Sequence, residues 1–120
     1  MVKNRFLDDY GDDYKLALKI ANLDIKKYPN STTFLLYRGL IKALGGDNWG
    51  AYLDLKQGIE INPEMDLFAY YKGFMAYAIK KIPEATEDFY VYTKKYTLDE
   101  KAKEIYKNLQ AISKLKIVQE

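Results

Sequence analysis

The chain of 120 residues has no cysteine and no histidine. Without thiols there is no disulfide and no cysteine nucleophile. Without imidazole there is no histidine acid–base pair, no Ser-His-Asp triad and no zinc site of the Cys/His kind. Serine is nearly absent too, at Ser31 and Ser113 alone. Proline is confined to Pro29, Pro63 and Pro83, and seven glycines complete the helix breakers, too few for a disordered chain. An excess of one charge is also missing: 19 Lys and Arg against 17 Asp and Glu leave +2, which by itself argues for neither nucleic acid nor an anionic membrane. No run approaches the ~18 apolar residues of a membrane-spanning helix. The start, Met1 to Asp9, turns acidic before a signal-like apolar stretch can form. The expectation is a cytoplasmic protein that does not insert into membranes and uses no cofactor or metal.

What is present is a foldable core, 48% hydrophobic and 30% charged, in a chain long enough for one domain of the usual ~100–200 residues. Its oddity is tyrosine, 12 of them beside five Phe and one Trp. Tyr joins a large apolar ring to a polar tip, so it serves equally to close a core at a wet edge and to make an adhesive surface.

Comparing the chain with itself at an offset of 34 residues aligns Pro29 with Pro63, Gly39 with Gly73, and Ala17 with Ala51 and Ala85. The same offset pairs Phe34 with Phe68, Tyr37 with Tyr71, Asp54 with Asp88, and Leu55 with Phe89. Each unit reads as two helices. In the middle unit Phe34, Leu35, Gly39, Leu40, Ile41 and Leu44 recur at mostly helical steps, and Gly45-Gly46-Asp47-Asn48 supplies a turn and cap. The second helix runs from about Trp49, with Tyr52, Leu55, Ile59 and Ile61 apolar, and stops at Asn62-Pro63 because the residue before proline is driven out of the helical region. The third unit repeats this with a helix over Phe68 to Ile79, a turn at Lys80-Lys81-Ile82, and a helix opened by Pro83. Thr97-Leu98-Asp99-Glu100 reads as a capping box starting a last helix to about Lys116, apolar at Leu98, Ala102, Ile105, Leu109 and Ile112.

These residues resemble the tetratricopeptide repeat (TPR), whose 34-residue pattern places a large residue, Leu-Gly, Tyr, Ala, an aromatic and Pro at fixed offsets. The middle unit has Leu35, Arg38-Gly39, Lys42, Ala51, Leu55 and Pro63 in those places. The third has Ala69, Lys72-Gly73, Ala76, Ala85, Phe89 and Thr97, and a shortened first unit has Ala17, Ala21 and Pro29. Gly11-Asp12-Asp13-Tyr14 and Gly46-Asp47-Asn48-Trp49 look like the family's turn between helices. Arg38, Lys42 and Lys72 depart from it where apolar residues are preferred, as does Arg5 where the pattern wants glycine. The resemblance implies an all-α, right-handed superhelical solenoid in one domain: repeat 1 over about 1–29, repeat 2 over about 30–63, repeat 3 over about 64–97, and a capping helix over about 98–116.

It also implies a function, a non-enzymatic interaction module whose first helices line a concave groove for a peptide. By register, Val2, Phe6 and Tyr10, then Thr33, Leu36, Leu40 and Leu44, then Leu67, Tyr70, Phe74 and Tyr77 face inward. The family's Lys, Asn and Arg clamp for a terminal carboxylate is absent, its places falling on Val2, Phe6, Tyr37, Leu67 and Tyr71. The expected partner is therefore an apolar or amphipathic segment of a protein, with Phe6, Tyr10, Leu36, Tyr37, Leu40, Tyr70, Phe74 and Tyr77 as the groove residues. Two readings compete. Aromatic stripes at helical spacing also build cores, and a greasy groove can be filled by its own chain or by a second copy, which makes a homodimer.

Other constellations carry less. Asp8, Asp9, Asp12 and Asp13 lack the order of oxygens an EF-hand needs and read as a solvated turn. Tyr90, Tyr92 and Tyr96 alternate with Lys94, Lys95, Lys101, Lys103 and Lys107 as in single-strand binders, but lysine at this frequency is ordinary helix surface and nucleic acid is not the expected partner. Glu60, Glu84, Glu87 and Asp88 scatter over polar helix faces and compose no catalytic pocket.

Overall fold

A computed structural model describes the backbone of residues 5–119 and the side chains of residues 9–66 and 68–115. Among the described residues the regular structure is helical throughout, in two compact units, Met1–Pro63 and Glu64–Glu120.

The first unit contains α1 (Arg5–Lys27), α2 (Thr32–Leu44) and α3 (Asn48–Ile61). Ser31 starts α2 by accepting a hydrogen bond from the Phe34 N–H at 3.3 Å, which satisfies one of the donors a helix start leaves over. After Gly45 the chain reverses through Gly46, whose φ of 86° suits a residue without Cβ. Asp47 then opens α3, its carboxylate accepting from the Gly50 N–H at 2.9 Å. Asn62 leaves the helix in an extended conformation just before Pro63. Between α2 and α3, Leu35, Leu36, Ala51, Tyr52 and Leu55 are buried. Gly39 lets the two helices approach closely, since a Cβ there would lie 3.1 Å from Leu55 Cγ and 3.3 Å from the Ala51 carbonyl.

α1 departs from expectation. The turn expected at Gly11 to Tyr14 is not a loop: helix runs through it, with a single break in backbone geometry at Tyr10 (φ −130°, ψ 25°). Of the inward positions expected before it, Val2 lies outside the described residues, and Phe6 is helical with a side chain outside them. α1 docks on α2 through Tyr14, whose ring fills the space where a side chain at Gly45 would sit. Burial, with Asp47 nearby, pushes the Tyr14 phenol above its ordinary pKa.

The charged departures from the repeat pattern explain one another. Arg38 on α2 donates from Nε and Nη2 to the two carboxylate oxygens of Asp54 on α3, both at 2.7 Å. Lys42 stands 3.1 Å from the same carboxylate. In the second unit Lys72 holds both oxygens of Asp88 at 2.7 Å and lies 3.4 Å from Glu84. Arg38 and Lys72 are 34 apart, and so are Asp54 and Asp88. The repeat therefore includes a cation on its first helix and a carboxylate on its second, joined across the hairpin where the apolar pattern would place a packing contact.

A 3-10 segment over Pro63–Phe68 leads into α4 (Ala69–Ala78), and the second unit continues with α5 (Ile82–Lys95) and α6 (Glu100–Gln119). Lys80 takes the place of Gly46 in the turn and adopts the same left-handed region, with φ 67°. Gly73 faces Phe89 more tightly than Gly39 faces Leu55: a Cβ on Gly73 would come within 2.7 Å of the Phe89 ring. Ala76, Ala85, Phe89, Ala102 and Leu109 are fully or almost fully buried.

α6 begins later than the capping box implied. Asp99, not Thr97, is the cap: it accepts from the Ala102 N–H at 3.0 Å and from the Tyr92 hydroxyl at 2.8 Å. Asp99 thus does two jobs that Thr97 cannot do, and Leu98 is left 92% exposed instead of joining the apolar face of the helix. Burial, together with the Asp99 carboxylate, pushes the Tyr92 hydroxyl up to about 12. A phenol whose folded pKa is raised adds stability below its ordinary value and loses it as pH rises through the folded one. The melting temperature should therefore fall between pH ~10 and ~12, and Tyr92→Phe should flatten that fall; an unchanged alkaline profile in the variant would place the titration elsewhere.

Candidate functional site

The expected groove residues separate by burial. In the first unit, Leu36 is only 2% exposed and packs on Gly58, so it belongs to the α2–α3 core. Leu40 is half-buried, while Tyr37 and Tyr10 are exposed.

In the second unit, Tyr70, Phe74 and Tyr77 occupy successive turns of one face of α4, and burial falls along that face. Tyr70 is wrapped in rings, with centroids 4.9 Å from Phe74, 5.4 Å from Phe89 and 5.1 Å from Tyr92. Burial, assisted by Asp99 and Tyr71, raises its phenol pKa. Tyr70 is a half-buried member of an aromatic cluster. Phe74 meets Phe89 edge to face at 5.3 Å. Tyr77, one turn further on, is 48% exposed.

The open end of this face is one wall of a cleft of about 220 Å³ between α4, α5 and α6. Phe89 and Leu109 form its buried floor, Phe74 and Ile105 its walls, and Tyr77, Asn108 and Ile112 its rim. No carboxylate or amine lines it, and its single amide, Asn108, lies at the mouth. Small-molecule and cofactor sites usually occupy ~300–1,000 Å³ and hold several convergent polar groups. This cleft is smaller and lacks such a set, and its shape suits one or two apolar side chains presented by another polypeptide. Among the described residues no group of acidic side chains is placed to hold a metal ion. Among the same residues no helix is long and apolar enough to cross a membrane.

The chain is similar in fold to a secretion chaperone. The solved structure is that of the Yersinia enterocolitica type III secretion translocator chaperone SycD, with a TM-score of 0.65 over 99% of this chain and 88% of that one. Sequence identity is 12%, so the likeness bears on fold. It agrees with the all-α, TPR-like class expected from the 34-residue register. No protein-family model and no curated protein matches the sequence.

The sequence pattern assigns Phe74 and Tyr77 to a groove lined by the first helices rather than to this cleft, and Ile105, Leu109 and Ile112 only to the covering face of the last helix. The signal was available. The apolar period of α6 continues to Ile112, beyond what is needed to cover Ala85 and Phe89, and a surplus apolar turn at the end of a covering helix is where a cleft remains open.

Proposed function

We propose that this chain is a non-enzymatic protein-binding module that holds an apolar or amphipathic segment of a partner protein, with the α4–α6 cleft as the anchoring point. The observation that carries the proposal is the half-exposed Tyr77 ring beside Ile112, above an apolar floor with no titratable group. Such an aromatic and aliphatic pocket is the usual anchor site of a protein interface. The fold's likeness to a translocator chaperone supports protein binding as the class of activity.

The test is the double variant Tyr77→Ala, Ile112→Ala. Both side chains lie at the solvated rim, so helical signal and melting temperature should stay near those of the parent. Partner affinity should fall ~30-fold or more, since truncating anchor residues typically costs at least ~2 kcal/mol. A variant that captures the same partners as the parent would refute the proposal, and one that unfolds would show these residues to be core. If the cleft is instead filled by a second copy of the chain, the folded variant will show a lower mass by light scattering.

A further inference from the structure

The outer face of α1 has no role in the hairpins. Leu16, Ile20 and Leu23 are 58%, 51% and 58% exposed, while Tyr14, Ala17, Ala21 and Ile25 form the more covered side of the same helix. Three large aliphatic side chains more than half exposed along one stripe are not needed to fold the unit, and such patches mark contact surfaces. The stripe has an order. At alternating steps of three and four it reads Asp13, Leu16, Ile20, Leu23, Lys27, with an exposed acid at one end and an exposed base at the other. Asp12 and Lys26 repeat the same polarity one residue earlier at each end.

Acid near the start of a helix and base near its end also suit the helix macrodipole, but the dipole gives no reason for exposed leucines between them. A second helix of the same sequence gives a reason for both. Laid antiparallel and centred on Ile20, two copies set Asp13 of each against Lys27 of the other and bury the three aliphatic residues between them. Laid parallel, they set Asp13 against Asp13 and Lys27 against Lys27. Asp13 and Lys27 each lie seven residues from Ile20, so the pattern is self-complementary under a two-fold axis at that residue, which is the requirement for an isologous dimer.

We infer that the outer face of α1 is a homodimer surface, on which a second copy of this chain pairs antiparallel through Leu16, Ile20 and Leu23 with ion pairs at both ends. The α4–α6 cleft takes no part, so dimerisation and partner binding are separable.

The cysteine-free chain makes the test clean. In the full chain, Ile20→Cys should form a covalent dimer under diamide, which oxidises the two facing thiols to one disulfide. This should occur at least tenfold faster than for Glu60→Cys, an exposed position on α3 that serves as the collision control. Leu16→Cys and Leu23→Cys should each cross-link poorly alone and readily when mixed. The unsubstituted chain should rise in mass towards two chains with concentration in sedimentation. Asp13→Lys should weaken that rise, and Asp13→Lys combined with Lys27→Asp should restore it. The cleft variant Tyr77→Ala, Ile112→Ala should dimerise like the parent. Cross-linking of Ile20→Cys no faster than the control, a one-chain mass at every concentration, or equal self-cross-linking at positions 16, 20 and 23 would each overturn the inference, the last in favour of a parallel pair.

Discussion

Gly73→Leu should unfold the Glu64–Glu120 unit. The ring of Phe89 lies where the first added carbon must go, 2.7 Å from an ideal Cβ at Cε2 and 3.0 Å at Cδ2. That ring cannot swing aside, because Phe89 is fully buried and packed edge to face against Tyr70 and Phe74. Overpacking of this kind costs about 1–3 kcal/mol and more where the neighbours are rigid. That is a large part of the ~5–15 kcal/mol that holds a whole domain. The equivalent change at Gly39 meets Leu55 Cγ at 3.1 Å and the Ala51 carbonyl oxygen at 3.3 Å, contacts that ask for a few tenths of an ångström where the Phe89 ring must shift outright. Gly39→Ala should therefore cost less than Gly73→Ala, and both leucine variants more than either. Thermal melts followed by circular dichroism check the order. A Gly73→Leu protein that melts like the parent would mean that α4 and α5 do not meet at this point.

Asp54→Ala should be the most damaging polar substitution in the first unit. Its carboxylate is nearly inaccessible and receives Arg38 in two hydrogen bonds together with Lys42. Removing it leaves Arg38 and Lys42, one turn apart on α2, with no carboxylate opposite them on α3, and an uncompensated buried charge costs about 3–5 kcal/mol. Because Arg38 is partly solvated, the lower end of that range is expected. Removing the whole arrangement, as Arg38→Met with Asp54→Leu and Lys42→Met, should recover most of the loss, since a packed apolar contact replaces a pair that burial already made expensive. The repeated carboxylate in the second unit behaves differently. Burial raises the Asp88 pKa despite Lys72, with Glu84 and Glu87 adding to the rise. The folded unit therefore holds this proton more tightly than the unfolded chain does, and the carboxyl contributes most at low pH and less as pH rises through its folded value. Asp88→Asn should cost clearly less at neutral pH than Asp54→Asn. Equal losses at the two sites would contradict this account of the pairs.

The 34-residue register was legible because glycine and alanine have few substitutes where helices approach within a side chain's width. Gly39, Gly73, Ala51 and Ala85 all lie at such contacts. Arg38, Lys42 and Lys72 looked like departures because their partners lie on the next helix, a distance that helical periodicity does not display. The repetition of Asp54 and Asp88 at the same offset was the available clue. The continuity of α1 through Gly11 to Tyr14 was missed because a glycine followed by two acids is written alike in a turn and in a helix start. The site was legible only in part, since Tyr70 and Tyr77 share a helix face and a residue type. What separates them is the cover that Phe89 and Tyr92 give one and not the other, and that depends on how α5 is placed against α4.

The most direct measurement of the binding account is amide-shift mapping by nuclear magnetic resonance, using the full chain and a peptide selected against it from a random library. The proposed cleft predicts selected peptides that share closely spaced apolar anchors, with shifts concentrated at Phe74, Tyr77, Ile105, Asn108 and Ile112. Shifts gathered elsewhere, with these five positions unmoved at saturation, would contradict it.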